Sequence, residues 1–95
     1  MNMEDYMKAI LTIIGNDRPG IIYQVTEVLY KYNINILDMS QTIMEDKFVA
    51  MINIDMTKVN ADFSEITGAF DSLSKETKLE IRIQNEEVFD VMHRI

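Results

Sequence analysis

Apolar residues recur along the chain in two rhythms, every second residue or every third to fourth, and each change of rhythm falls on turn-forming residues. Met7 to Ile14 is apolar and β-branched, with Ala9, Leu11 and Ile13 on one side, and predicts a strand. It stops at Gly15-Asn16-Asp17-Arg18-Pro19-Gly20. Ile21, Val25, Val28, Leu29 and Tyr32 then form a single helical stripe. Pro19 suits the first turn of that helix, where its missing N–H would have no partner anyway, and Asn33 is a reasonable stop.

Ile34 to Met44 reads as a second strand and Lys47 to Met56 as a third, joined by Glu45-Asp46 as a tight hairpin. In the third strand Phe48, Ala50, Ile52 and Ile54 share a face. The second strand alternates in mixed phase, which predicts either a bulge or burial on both faces. Asn60 is placed to cap a second helix, with Asp62 and Glu65 near its positive end and Phe63, Ile66, Phe70 and Leu73 as its stripe. Leu79 to Gln84 alternates as a fourth strand. Asn85 to Ile95 reads as a short terminal helix, with Val88, Met92 and Ile95 along its apolar side.

The order β-α-β-β-α-β predicts an α+β, ferredoxin-like sandwich over residues 1–95. Two right-handed crossovers give an antiparallel four-stranded sheet with both helices on one face, and the C-terminal helix is extra. Two helices cover only one face of such a sheet. Ile10, Ile14, Val49 and Met51 point to the other face, so surplus apolar surface is expected there, to be hidden by a second copy or by the terminal helix.

Composition narrows the function. With 95 residues there is room for one core, and an apolar fraction of 47% suits a folded chain. The chain has no cysteine, which excludes disulfides, thiolate metal sites and a cysteine nucleophile. A net charge of −7 with nine scattered Lys and Arg residues opposes direct nucleic-acid binding. No apolar run is long enough to span a membrane, and the acidic start lacks a signal-peptide pattern, so a cytoplasmic location is expected.

Catalytic patterns are weak. His93 is the single histidine and has no assignable partner, and Asp38, Asp46 and Asp55 do not follow a metal-binding spacing. Gly15 and Gly20 make neither a dinucleotide nor a P-loop fingerprint. Arg18 alone does not complete a phosphate loop of the acylphosphatase kind. The first loop is the informative segment. A helix N-terminus offers free N–H groups and partial positive charge to a carboxylate, Gly20 leaves room for close approach, and Asn16 and Asp17 could receive an ammonium. The same residues would equally serve as a plain turn, with Asp17 capping the helix.

Gly15-Asn16-Asp17-Arg18-Pro19-Gly20-Ile21 resembles the signature of ACT domains, in which a strand ends in Gly and Asp-x-Pro-Gly-hydrophobic opens the first helix. Asn33-Ile34-Asn35-Ile36 resembles the start of that family's second strand. Asp38 to Ile43 and the ending Met92-His93-Arg94-Ile95 resemble stand-alone prokaryotic members related to glycine-cleavage-system transcriptional repressors. The resemblance implies a regulatory, non-enzymatic domain without a cofactor. It implies pairing into a homodimer and a small ligand, an amino acid, in the groove between paired domains. By resemblance Asn16, Asp17, Pro19, Gly20 and Ile21 map to the ligand loop, and Asn35 and Ile36 to the facing strand of the paired chain. A ligand-free adaptor acting on a partner protein is the alternative, and a small enzyme of the same fold a second one.

Overall fold

Alternation puts Ala9, Leu11 and Ile13 of one strand and Phe48, Ala50, Ile52 and Ile54 of another on a common face, where all are buried. A computed structural model describes residues 8–85. Its elements are β1 (Lys8–Asn16), α1 (Ile21–Lys31), β2 (Asn35–Met44), β3 (Lys47–Asp55), α2 (Phe63–Thr77) and β4 (Glu80–Asn85). The sheet runs β2-β3-β1-β4 with every neighbouring pair antiparallel, the arrangement the period pattern predicts. The expected terminal helix at Asn85 to Ile95 falls outside the described residues, apart from Asn85, which ends β4. Met7 also lies outside them.

Ile21, Val25 and Leu29 of α1 and Ile66, Phe70 and Leu73 of α2 close over this face, joined by Leu79 and Ile81. Phe63 departs from the expectation. It opens α2 half-exposed, at 49%, rather than joining the buried stripe. The reason is a cap two residues later than the sequence suggests. Asp62, not Asn60, accepts from the Glu65 N–H at 2.9 Å, so the helix starts at Phe63. Asn60 serves the other helix: its Nδ2 donates to the Lys31 carbonyl at 3.0 Å, satisfying an acceptor left over at the end of α1. Asn33 follows α1 with φ 61, as a helix stop should.

β1 runs further than its apolar stretch, because Gly15 and Asn16 still pair with Phe48 and Lys47. The hairpin turns over Glu45 and Asp46 with Glu45 left-handed, at φ 60. In β2 the mixed phase is a register shift between Ile36 and Asp38, with Leu37 as the extra residue. Burial on both faces does not occur. All ten residues of β2 are exposed, because the strand lies at the edge of the sheet beyond the reach of the helices.

The face of the sheet away from α1 and α2 carries Ile10, Ile14, Val49 and Met51 in its middle strands, with Ile14 paired to Val49 and Thr12 to Met51. Exposure there is uneven: Ile14 and Met51 are exposed, whereas Ile10 is at 7%. The register also defines two ends. Asn16, Lys47 and Met44 share one end of the sheet, and Lys8, Asp55 and Asn35 the other.

Candidate functional site

The segment from Asn16 to Ile21 is built by three local effects. Asn16 ends the β1 ladder, and Asp17 continues beside the hairpin, its N–H donating to the Asp46 carbonyl at 2.8 Å. Gly20 then takes φ 91, a left-handed conformation that glycine adopts without the Cβ clash other residues suffer. Its carbonyl accepts the first helical bond, from Gln24 N–H at 3.0 Å. Among the described residues no side chain caps α1, and no acid lies in its first turn. Asp17 is therefore not a cap, and the plain-turn role considered for it is excluded in that form. The first N–H groups of α1 have no intrahelical acceptor and keep the partial positive charge of a helix start.

Arg18 adds to that charge. Its guanidinium lies along the first turn, donating to the Pro19 carbonyl at 3.2 Å and to Gln24 Oε1 at 2.7 Å. Lys47 donates its ammonium to Asn16 Oδ1 at 2.6 Å. One of the two expected ammonium acceptors is thus engaged by the chain's own lysine. Sequence reading gave Lys47 no role, since it comes from 31 residues away through the β1–β3 ladder. Arg18 was legible within the loop but not the direction of its side chain. Ile21 is buried at 2%, so what it can offer a ligand is a backbone N–H.

Of the expected site residues, Asn16, Asp17, Pro19, Gly20 and Ile21 stand together at one end of the sheet, while Asn35 and Ile36 stand at the other, paired with Asp55 and Ile54. Eight to nine strand residues separate the two ends of β2, about 25–30 Å. Asn35 borders a polar hollow of about 400 Å³ with Asn33, Asp55 and Lys58. There Asp55 accepts from the Thr57 N–H at 2.8 Å and from the Thr57 hydroxyl, and these bonds hold its carboxyl below the ordinary value. Among the described residues no three acidic or histidine side chains gather as a metal ion would require.

A family model described as the ACT domain matches residues 8–84, which covers the whole sheet, both helices and the loop. The chain belongs to the ACT-domain family. ACT domains are regulatory modules that typically bind amino acids or other small ligands. Among its relatives, a UPF0237 protein of Methanococcus maripaludis is 43% identical over 86 residues, 90% of this chain and 96% of the relative. An ACT domain protein from Streptococcus pneumoniae has the same architecture at TM-score 0.75 and 30% identity, over 88% of this chain and 94% of that one. A candidate glycine cleavage system transcriptional repressor shares the fold at TM-score 0.72 and 19% identity, over 82% of this ACT domain but only 44% of that protein. Among the described residues no helix is long and apolar enough to cross a membrane.

Proposed function

We propose that this ACT domain is a non-enzymatic sensor that pairs with a second copy and binds an amino acid at the junction. The observation that carries this reading is the start of α1: an uncapped set of N–H groups at a left-handed glycine, with Arg18 alongside and no acid in the first turn. A carboxylate fits that environment, and the helix dipole favours it by ~0.3–1 kcal/mol. Asp17, exposed beside it, is the group left for the ligand's ammonium while Lys47 holds Asn16.

The placement of Asn35 and Ile36 gives this reading its geometry. Within one chain they are a strand length from the loop. A two-fold axis that pairs β2 with its copy runs the strands antiparallel, bringing the partner's Asn35 end toward the Met44 end of the first chain, where Asn16 and Lys47 stand. β2 suits this role because its apolar Leu37, Met39, Ile43 and Met44 are all exposed and, among the described residues, no strand neighbours its outer edge.

A ligand-free adaptor is the second reading, favoured by one specific observation: Lys47 fills the Asn16 acceptor from within the chain. A thermal-shift screen against the twenty amino acids separates the two. A ligand that binds the native state alone raises the melting temperature by mass action, and a flat screen on folded protein favours the adaptor.

A further inference from the structure

The groove between α1 and α2 is lined from α1 by Gln24, Glu27, Val28 and Lys31, so these residues mark the flank turned toward α2. α2 packs against β4, and α1 crosses β3 on its way from β1 to β2, so the opposite flank of α1 overlooks β2. At about 100° per residue, Ile22, Thr26 and Tyr30 form one ridge along that flank. Ile22 and Thr26 are half-buried, and Tyr30 is 88% exposed. Below the ridge lies a ledge of Ile36, Met39 and Ile43 from β2. These pair with the buried Ile54, Ile52 and Phe48 and share their helix-side face, yet stay exposed. No residue of this ridge or ledge is charged. Asp38, the single charge of β2, pairs with Asn53 on the other face.

A two-fold axis sets groups near their own copies, so like charges beside it repel and an uncharged surface suits it. About an axis at Thr26 the ridge is self-complementary, with Ile22 against the second copy's Tyr30 and Thr26 against Thr26. When β2 pairs with its copy, the two β3 strands stand about 14 Å apart, and a helix with its side chains is about 10–12 Å across. The two α1 helices then leave a gap that a long side chain such as Tyr30 fills. α1 runs back from the Asn16 end of the sheet to the Asn35 end, so its last turn carries Tyr30 to the end where Asn35 stands. The pairing brings that end of the second copy to the Gly20 start of α1. Tyr23, the other exposed tyrosine of α1, already donates to Glu27 Oε2 at 3.3 Å. Building on the amino-acid reading above, we propose that the second copy packs its α1 antiparallel on this ridge, with its Tyr30 ring on Ile22. Its Tyr30 hydroxyl then donates to the carboxylate of the amino acid held at the start of α1.

The packing is tested on the unaltered full chain, without any ligand. Chains labelled with carbon-13 at isoleucine methyls are refolded together with unlabelled chains, and isotope-filtered NOE spectra select contacts between copies. A cross-peak should join the Ile22 methyl to the Tyr30 ring, assigned by its loss in Tyr30→Phe. A dimer whose cross-peaks start from Ile14 instead, or that lacks the Ile22–Tyr30 peak, overturns the proposal. The hydroxyl is tested by titration calorimetry with whichever of the twenty amino acids raises the melting temperature of the unaltered dimer. Tyr30→Phe keeps the ring on Ile22 and should remain a dimer by light scattering, yet bind that amino acid about tenfold more weakly, since a hydrogen bond to a charged group is lost. A tyrosine that only packs would be replaced by phenylalanine without loss. Equal affinity in the Tyr30→Phe dimer therefore overturns the role of Tyr30 and leaves the amino-acid reading standing. A monomer, or a dimer that none of the twenty stabilises, removes that reading and the proposal with it.

Discussion

Gly15 and Gly20 bracket the loop, and they are required for different reasons. A Cβ on Gly15 would sit well inside van der Waals contact distance of Leu79 Cδ2 and 3.4 Å from Leu79 Cα, and Leu79 is buried. Gly15→Ala should therefore destabilise the fold by ~1–3 kcal/mol in urea unfolding, as overpacking does. A Cβ on Gly20 would meet only Arg18 Nη1, at 3.9 Å, so space is not its constraint; φ 91 is. Gly20→Ala should cost ~1–2 kcal/mol through backbone strain, and should weaken any amino-acid response by more than that loss of stability explains. A β-branched replacement would add to that backbone strain, which makes alanine the cleaner substitution. Lys47→Met frees Asn16 Oδ1 while leaving an extended apolar stem. If a ligand ammonium competes for that oxygen, titration calorimetry should show tighter amino-acid binding to Lys47→Met, by about 1 kcal/mol.

At the scale of the element, the two helices begin differently. α2 has a carboxylate cap that its backbone and Ser64 hold below the usual carboxylate pKa, and α1 has none. A depressed folded pKa means stability present above the unfolded value and lost as pH falls through the folded one, and the same holds for Asp55 with its Thr57 bonds. Acidification below about pH 4 should lower the urea midpoint, and Asp62→Asn, which still caps but does not titrate, should reduce that loss. β2 offers the sharpest separation of assembly from folding. Because its side chains are exposed, Ile43→Lys should leave the stability of the single chain within about 0.5 kcal/mol of the original. Light scattering should nevertheless report a monomer for Ile43→Lys and a dimer for the unaltered chain. A dimer that survives this charge at the edge would place the pairing surface elsewhere.

At the scale of the whole molecule, one apolar layer holds the chain together. Phe70, fully buried between α2 and the sheet, should cost ~3–5 kcal/mol when truncated to alanine, a large share of what a domain this size possesses. That layer was legible before any coordinates, because alternation and helical spacing report directly which side of each element avoids water: Leu11, Ile13, Ile52 and Ile54, and Ile21, Val25, Leu29, Ile66 and Phe70, lie where their periods put them. Phe63 was misread because a stripe is blind to where its helix starts. Asp62 and Asn60 are both good caps by type, and the choice between them rests on which side chain reaches Glu65 and which reaches Lys31.

What the sequence determined by itself is the order of elements, the composition of the core face and the loop whose pattern marks an ACT domain, since each depends on residues close together in the chain. What only the tertiary structure decided depends on residues far apart. Lys47 reaches Asn16 because β1 and β3 run antiparallel in one register. Asn35 and Ile36 stand a strand length from the loop because β2 runs the full length of the sheet. β2 is exposed throughout because two helices are too narrow to cover four strands, and Gly15 is glycine because Leu79, 64 positions later, closes against it. Local periodicity carries no information on such distances; they follow from register and packing, which act between elements and not along them.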